Sequence, residues 1–178
     1  MKRLKEALNP ELRSEIEQRA TKFLQERVQS YDGKETLYPD LAIWLGCLRG
    51  LAMIHHTHHW QTRGKEFYGD HLLLDKLYTT VEGEVDPLGE RIVGLDSSFL
   101  VNYCSQIKHM MAFMKLVTED ATPLQISLLG ELMFISIGEI VLKRLKETDL
   151  LTSGLSNLME GMMDTHEVHV YLLQQRIF

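Results

Sequence analysis

Between residues 71 and 90 the chain carries an unusual polar set: His71, Asp75, Glu82, Asp86 and Glu90. One imidazole with several carboxylates is a donor set that suits iron, manganese or zinc, and the absence of thiolates argues against a structural zinc site. On a helix, Asp75, Glu82 and Asp86 fall within about 40° of one another around the axis, with His71 and Glu90 flanking them. They are expected to border the apolar stripe of Leu74, Leu77, Tyr78, Val81, Val85, Leu88 and Ile92. A carboxylate there is costly without a partner, and a divalent cation is a fitting one. A solvated acidic face with one stray histidine is the other reading, and these residues alone leave both open.

Distance decides how such a site would be built. His71 and Asp75 are one turn apart, as are Asp86 and Glu90. The two pairs are separated by about 22 Å along a helix rising about 1.5 Å per residue. A metal site is only about 4–5 Å across, given bonds of about 2.0–2.2 Å, so one ion cannot be shared within one chain. An antiparallel second copy crossing near Thr80 would set His71 and Asp75 of one subunit against Asp86 and Glu90 of the other. A two-fold axis would then create two equivalent sites. The preceding HHTHHW, residues 55–60, holds half of the chain's eight histidines. His59, projecting inward, is the candidate that completes the nitrogen donors, with Trp60 beside the metal. His56 and His58 fall off the inner face. With His55 they read as surface or core imidazoles, or as groups orienting His59.

The elements that must position these residues are helical nearly throughout. Asn9-Pro10-Glu11 is a cap, a proline at the first position and an acid in the first turn, opening a helix over 9–30. Apolar spacing then predicts helices over 40–64, 67–95, about 98–118, 123–147 and 154–177. Four of them are long, with a sizeable connection between the second and third long helices. The expected fold is therefore all-α: a ferritin-like four-helix bundle whose connection contains a short helix, with an extra N-terminal helix. The division is an N-terminal extension over 1–38 and a single bundle domain over 39–178.

At 178 residues the chain can bury a real core, and its net charge of −6 repels phosphate backbones and anionic lipid. The start MKRLKE gathers three cations, which reads as a solvated helix start. Cys47 and Cys104 are too few for a disulfide framework and read as core residues of a reduced compartment. No apolar run approaches the roughly 20 residues that span a bilayer. The chain is expected to be cytoplasmic, with no membrane partner. The methionines 110, 111, 114, 159, 162 and 163 read as helical core packing.

The stretch HHWQTRGKEFYGDHLLLDKLYTTVEGEVDPLGERIVGL resembles the signature of the Dps family, the DNA-binding proteins from starved cells, or mini-ferritins. His59-Trp60, Gly64, Phe67, His71, Asp75, Asp86 and Glu90-Arg91 fall at its intervals, and His56 matches a frequent histidine three positions before the first ligand. THEVHVYLLQQ is similar to the family's HEKHAWML segment, with Tyr171 where Trp is usual. The similarity covers roughly residues 41–173. It implies a hollow dodecamer built from two-fold dimers, with ferroxidase sites between subunits. His59, His71 and Asp75 would come from one subunit and Asp86 and Glu90 from its neighbour. Fe(II) would be oxidised, preferably by hydrogen peroxide, and stored as Fe(III), which protects against oxidative damage. Zinc and manganese are other cations for the same site. Trp60 matches a tryptophan that takes up oxidising equivalents.

The sequence departs from the family in three places. Pro87 lies inside the third helix, so Asp86 is either a ligand or an N-cap ahead of a kink. Gly83 and Gly89 loosen the same segment. The helix at 9–30 is longer and more ordered than the family's basic tail, and with the acidic body it argues against DNA binding. A structural shell protein on the same scaffold, with a degraded metal site, is the competing function. A di-iron centre inside one bundle is disfavoured, because such centres use two Glu-x-x-His pairs and this sequence contains none.

Overall fold

The computed structural model describes residues 9–31, 36–96, 98–118 and 120–178. The basic start MKRLKE lies outside the described residues. Among the described residues six α-helices run α1 Pro10–Val28, α2 Pro39–Gln61, α3 Phe67–Leu95, α4 Tyr103–Val117, α5 Pro123–Glu147 and α6 Ser153–Ile177. Short 3-10 turns at Gln29–Tyr31 and Ser98–Val101 punctuate them. Among the described residues there is no strand.

Side-chain oxygens define several helix starts. Asn9 accepts from the Glu11 amide at 2.9 Å, as its Asn-Pro-Glu pattern predicts. Thr122 and Gln125 form a reciprocal capping box that opens α5, and Thr152 caps α6. The connection predicted as one short helix is in fact a 3-10 turn followed by α4, which restarts at the Asn102 cap.

Cross-helix contacts give the topology. His55 meets Ser127 and Trp44 stacks on Phe134, so α2 runs antiparallel to α5. Asp70 meets Arg176 and Glu84 meets His166, so α3 is antiparallel to α6. His59 meets His71 across the short α2–α3 turn. Helices α3 and α5 consequently run parallel, and only a long crossover can join them. That crossover carries α4, which packs closely across α2 at Gly46 and Gly50. A Cβ at Gly46 would overlap the Cβ of His109, so a residue without a side chain is needed there, and one at Gly50 would press on the Phe113 ring at 3.0 Å. This is the ferritin-like bundle expected.

Helix α1 joins the same core. Ile16, Ala20, Phe23 and Leu24 are buried with Trp44, Phe134, Met159 and Met163 in one cluster. Cys47 is in that core, but Cys104 is exposed at the start of α4, contrary to the expectation of two core cysteines. Met111 is exposed as well, whereas Met159, Met162 and Met163 are core residues as predicted. Helix α5 is long and apolar enough to cross a membrane by length and composition, which the sequence reading did not anticipate. Here it lies within the bundle, with Leu132, Met133, Phe134, Ile135 and Ile137 buried against its neighbours.

Candidate metal centres

Helix α3 is unbroken from Phe67 to Leu95, with Pro87 inside it. Asp86 is therefore a mid-helix residue, and the N-cap alternative falls away. Only one backbone hydrogen bond is lost to the proline, and the helix continues past it with Leu88 and Ile92 buried.

The structure brings His59 and His71 together. Their rings stack with centroids 3.7 Å apart. Each Nδ1–H donates to the other residue's backbone carbonyl, both at 3.0 Å. A carbonyl can only accept, so both Nδ1 atoms carry protons, and Nε2 is the ring nitrogen left to offer a lone pair to a metal. Carbonyl bonds of this kind commonly orient metal-binding histidines. Arg176 of α6 fastens the start of α3 by donating to Asp70 at 2.5 Å and Glu66 at 2.7 Å.

Asp75 lies one turn beyond His71 and is half-buried, while Asp86 and Glu90 are exposed. Asp75, Glu82, Asp86 and Glu90 have no hydrogen-bond or ion-pair partner among the described residues. Within one chain the two half-sites stay apart, as the helical rise requires. The expectation that these acids border the core is corrected. Leu74, Leu77, Val81, Leu88 and Ile92 are the buried face, and Glu82, Asp86 and Glu90 point away from it into solvent. Glu82, Asp86 and Glu90 line an open groove of about 720 Å³ with Arg49 and Gln106. Trp60 is 60% exposed and packs against His56, whose ring also stacks on Tyr78.

The other two histidines of HHTHHW have a different destination. His58, expected off the inner face, is buried, and His55 is fully buried. Both reach Ser127 of α5: His55 Nδ1 at 3.1 Å and His58 Nδ1 at 2.8 Å. His55 Nε2 lies 2.8 Å from Glu131 Oε1. One proton arrangement satisfies the chain. His58 donates to the Ser127 oxygen, Ser127 donates to His55 Nδ1, and His55 donates to the Glu131 carboxylate. Both imidazoles are then neutral. Burial holds His58 down to about 4, with repulsion from His55 adding to it. Burial also lowers His55, although Glu131 pulls the other way.

Glu131 is the hub of a cluster that sequence reasoning missed. It is fully buried, as is His166, and His169 is nearly so. Glu131 Oε2 accepts a very short bond from His166 Nδ1, and Oε1 accepts from His169 Nδ1 at 2.9 Å. His166 Nε2 then donates to Glu84 of α3 at 2.9 Å. All four bundle helices therefore contribute: His55, Glu84, Glu131, and the pair His166 and His169. Burial would raise the Glu131 carboxyl, yet the surrounding imidazoles hold it well below the usual range. Burial disfavours a charged His166, but Glu131 and Glu84 push it up to about 9. The signal was present in the sequence: Glu131 interrupts the apolar run LLGELMFIS, and His166 and His169 fall in the apolar stripe of the last helix. A search for Glu-x-x-His pairs passes over it because the last helix uses His-x-x-His.

These features define a class, a ferritin-like helical bundle with histidine and carboxylate donors both on its surface and in its core. No family model matches the sequence. A DNA protection during starvation protein of Brevibacillus brevis is 21% identical over 119 residues, which is 67% of this chain and 79% of that protein. A solved Dps protein of Vibrio cholerae O1, described as a member of a broad superfamily of ferritin-like diiron-carboxylate proteins, superposes with a TM-score of 0.62. Its identity is 20%, over 91% of this chain and 92% of the other. DpsC of Streptomyces coelicolor also gives 0.62 at 20% identity, over 97% and 88% of the two chains. The chain shares the fold of these solved Dps proteins and is similar in sequence to the Brevibacillus protein.

Proposed function

We propose that this protein is an iron-storing mini-ferritin that oxidises Fe(II) at sites shared between two subunits. The observation that carries the reading is the His59–His71 pair, with each Nδ1 tied to a carbonyl and each Nε2 left as a donor. Asp75 adds an oxygen donor one turn away, and Asp86 and Glu90 of a second copy complete the set. Support comes from the outer face of α3. Tyr68, Leu72, Glu82, Asp86, Glu90 and Val93 are all exposed and fall within about 80° of one another around the axis. Such a mixed apolar and acidic strip suits burial against an identical helix across a two-fold axis. Closed repetition of the dimer gives the dodecamer that the Dps resemblance implies. The organisation is an extension through residue 38 and a bundle from 39, in a cytoplasmic setting.

Iron is the substrate and cargo. Two Fe(II) ions each lose one electron and the O–O bond of hydrogen peroxide breaks, giving two Fe(III) and two hydroxide ions. Paired oxidation leaves no hydroxyl radical, and Trp60 takes up an oxidising equivalent when a second ferrous ion is lacking. Zinc or manganese would compete for the same nitrogen and oxygen donors. DNA binding is no part of this reading.

The test is stopped-flow Fe(II) oxidation of wild type and His71→Ala with peroxide and with oxygen. Saturable oxidation, faster with peroxide, is expected for wild type, with at least a tenfold loss in the variant while the assembly keeps its size. A wild-type rate equal to the buffer background would instead favour the shell-protein reading.

A further inference from the structure

We propose that Glu131, His166 and His169 form a mononuclear site for a divalent transition metal inside the bundle, one per chain. This site uses no residue of the inter-subunit sites and does not depend on them. Among the described residues these three form the one group of His, Cys, Asp or Glu donors whose ligand atoms all lie within 4.8 Å of one another. Donors around a tetrahedral ion with bonds of about 2.1 Å stand about 3.4 Å apart, so small rotations of two imidazoles suffice. His166 and His169 are three apart on α6 and therefore share one face. Glu131 meets them from α5.

The surroundings have the form that metal ligands need. Glu84 accepts the Nε2–H of His166 at 2.9 Å, which turns its Nδ1 toward Glu131. The relay from His58 through Ser127 to His55 ends on Glu131 Oε1, fixing the carboxylate plane. Two nitrogens and one oxygen suit Zn(II), Fe(II) or Co(II) better than magnesium or calcium. The arrangement also explains an otherwise costly core. Buried charged groups are often replaceable by apolar residues without loss of stability, yet here five polar side chains from four helices converge. A divalent cation between Glu131 and Glu84 balances their two negative charges with every histidine neutral. Glu84 keeps some contact with solvent and marks the side from which an ion enters.

The experiment is anaerobic titration of the chelator-stripped assembly with Co(II), followed by its visible absorption, in the His71→Ala background. One Co(II) per chain is expected, with bands typical of a four- or five-coordinate nitrogen and oxygen site. His169→Gln added to that background should weaken uptake at least tenfold. Should that variant not fold, Glu84→Gln, a neutral isostere at the rim, is expected to weaken uptake about 10–100-fold. Absence of Co(II) bands in the His71→Ala protein would overturn the proposal. So would unchanged uptake in the folded His169→Gln or Glu84→Gln protein. Failure of the inter-subunit reading is seen separately, as unchanged ferroxidation in His71→Ala.

Discussion

Within HHTHHW the four imidazoles divide by the direction in which the helix aims them. His59 turns toward the start of α3 and His55 and His58 turn toward α5, while His56 lies between Trp60 and Tyr78. Adjacent helical residues differ by about 100°, so one short run supplies both the surface pair and the core relay. Tyr31 shows a different use of a polar side chain. Its hydroxyl lies 2.8 Å from Ser105 and 2.9 Å from His109, tying the end of the N-terminal segment to α4. Burial raises its pKa, against a smaller lowering by the Ser105 hydrogen bond. The folded state therefore holds the phenolic proton more tightly than the unfolded state, which releases it near pH 10. The stabilisation is complete below that pH and is lost as pH rises through the folded value. Tyr31→Phe is expected to cost about 1 kcal/mol at pH 7. The gap to wild type should narrow at pH 10.5, with urea unfolding at both pH values as the check.

At the scale of the element, α3 is 29 residues long and continues as helix through Pro87. Gly83, whose carbonyl would accept from residue 87, has open space beside it. Both Gly83 and Pro87 are exposed. Pro87→Ala restores the hydrogen bond and is expected to stabilise the chain by about 1–3 kcal/mol, read as a rise in Tm, with ferroxidation retained. Dissociation of the assembly in that variant would mean that the ring itself packs against a neighbouring subunit.

At the scale of the whole molecule, shared sites have a consequence that no single-chain site has. In a dimer of one His71→Ala chain and one Glu90→Ala chain, one site loses both donors and the other keeps both. Two inactive variants co-expressed in equal amounts should therefore regain about a quarter of the wild-type ferroxidase rate, since half of random dimers are mixed and each has one intact site. No recovery in mixed assemblies of normal size would place His71 and Glu90 in separate functions.

The helices were legible in the sequence because caps and apolar spacing act locally. Asn9, Thr122 and Thr152 begin helices by bonding amides two or three residues away, and the stripe of α3 follows from its own periodicity. The intervals from His59 to Glu90 could be read the same way, since a helix converts residue number into distance. Two matters were decided only in three dimensions. Whether Pro87 ends a helix depends on the packing that holds the turns either side of it, and those contacts come from other helices. The core cluster of His55, Glu84, Glu131, His166 and His169 joins residues up to 114 positions apart. No local pattern brings them together, because their meeting depends on how four helices are rotated about their axes, and that rotation is set by burying apolar faces against one another.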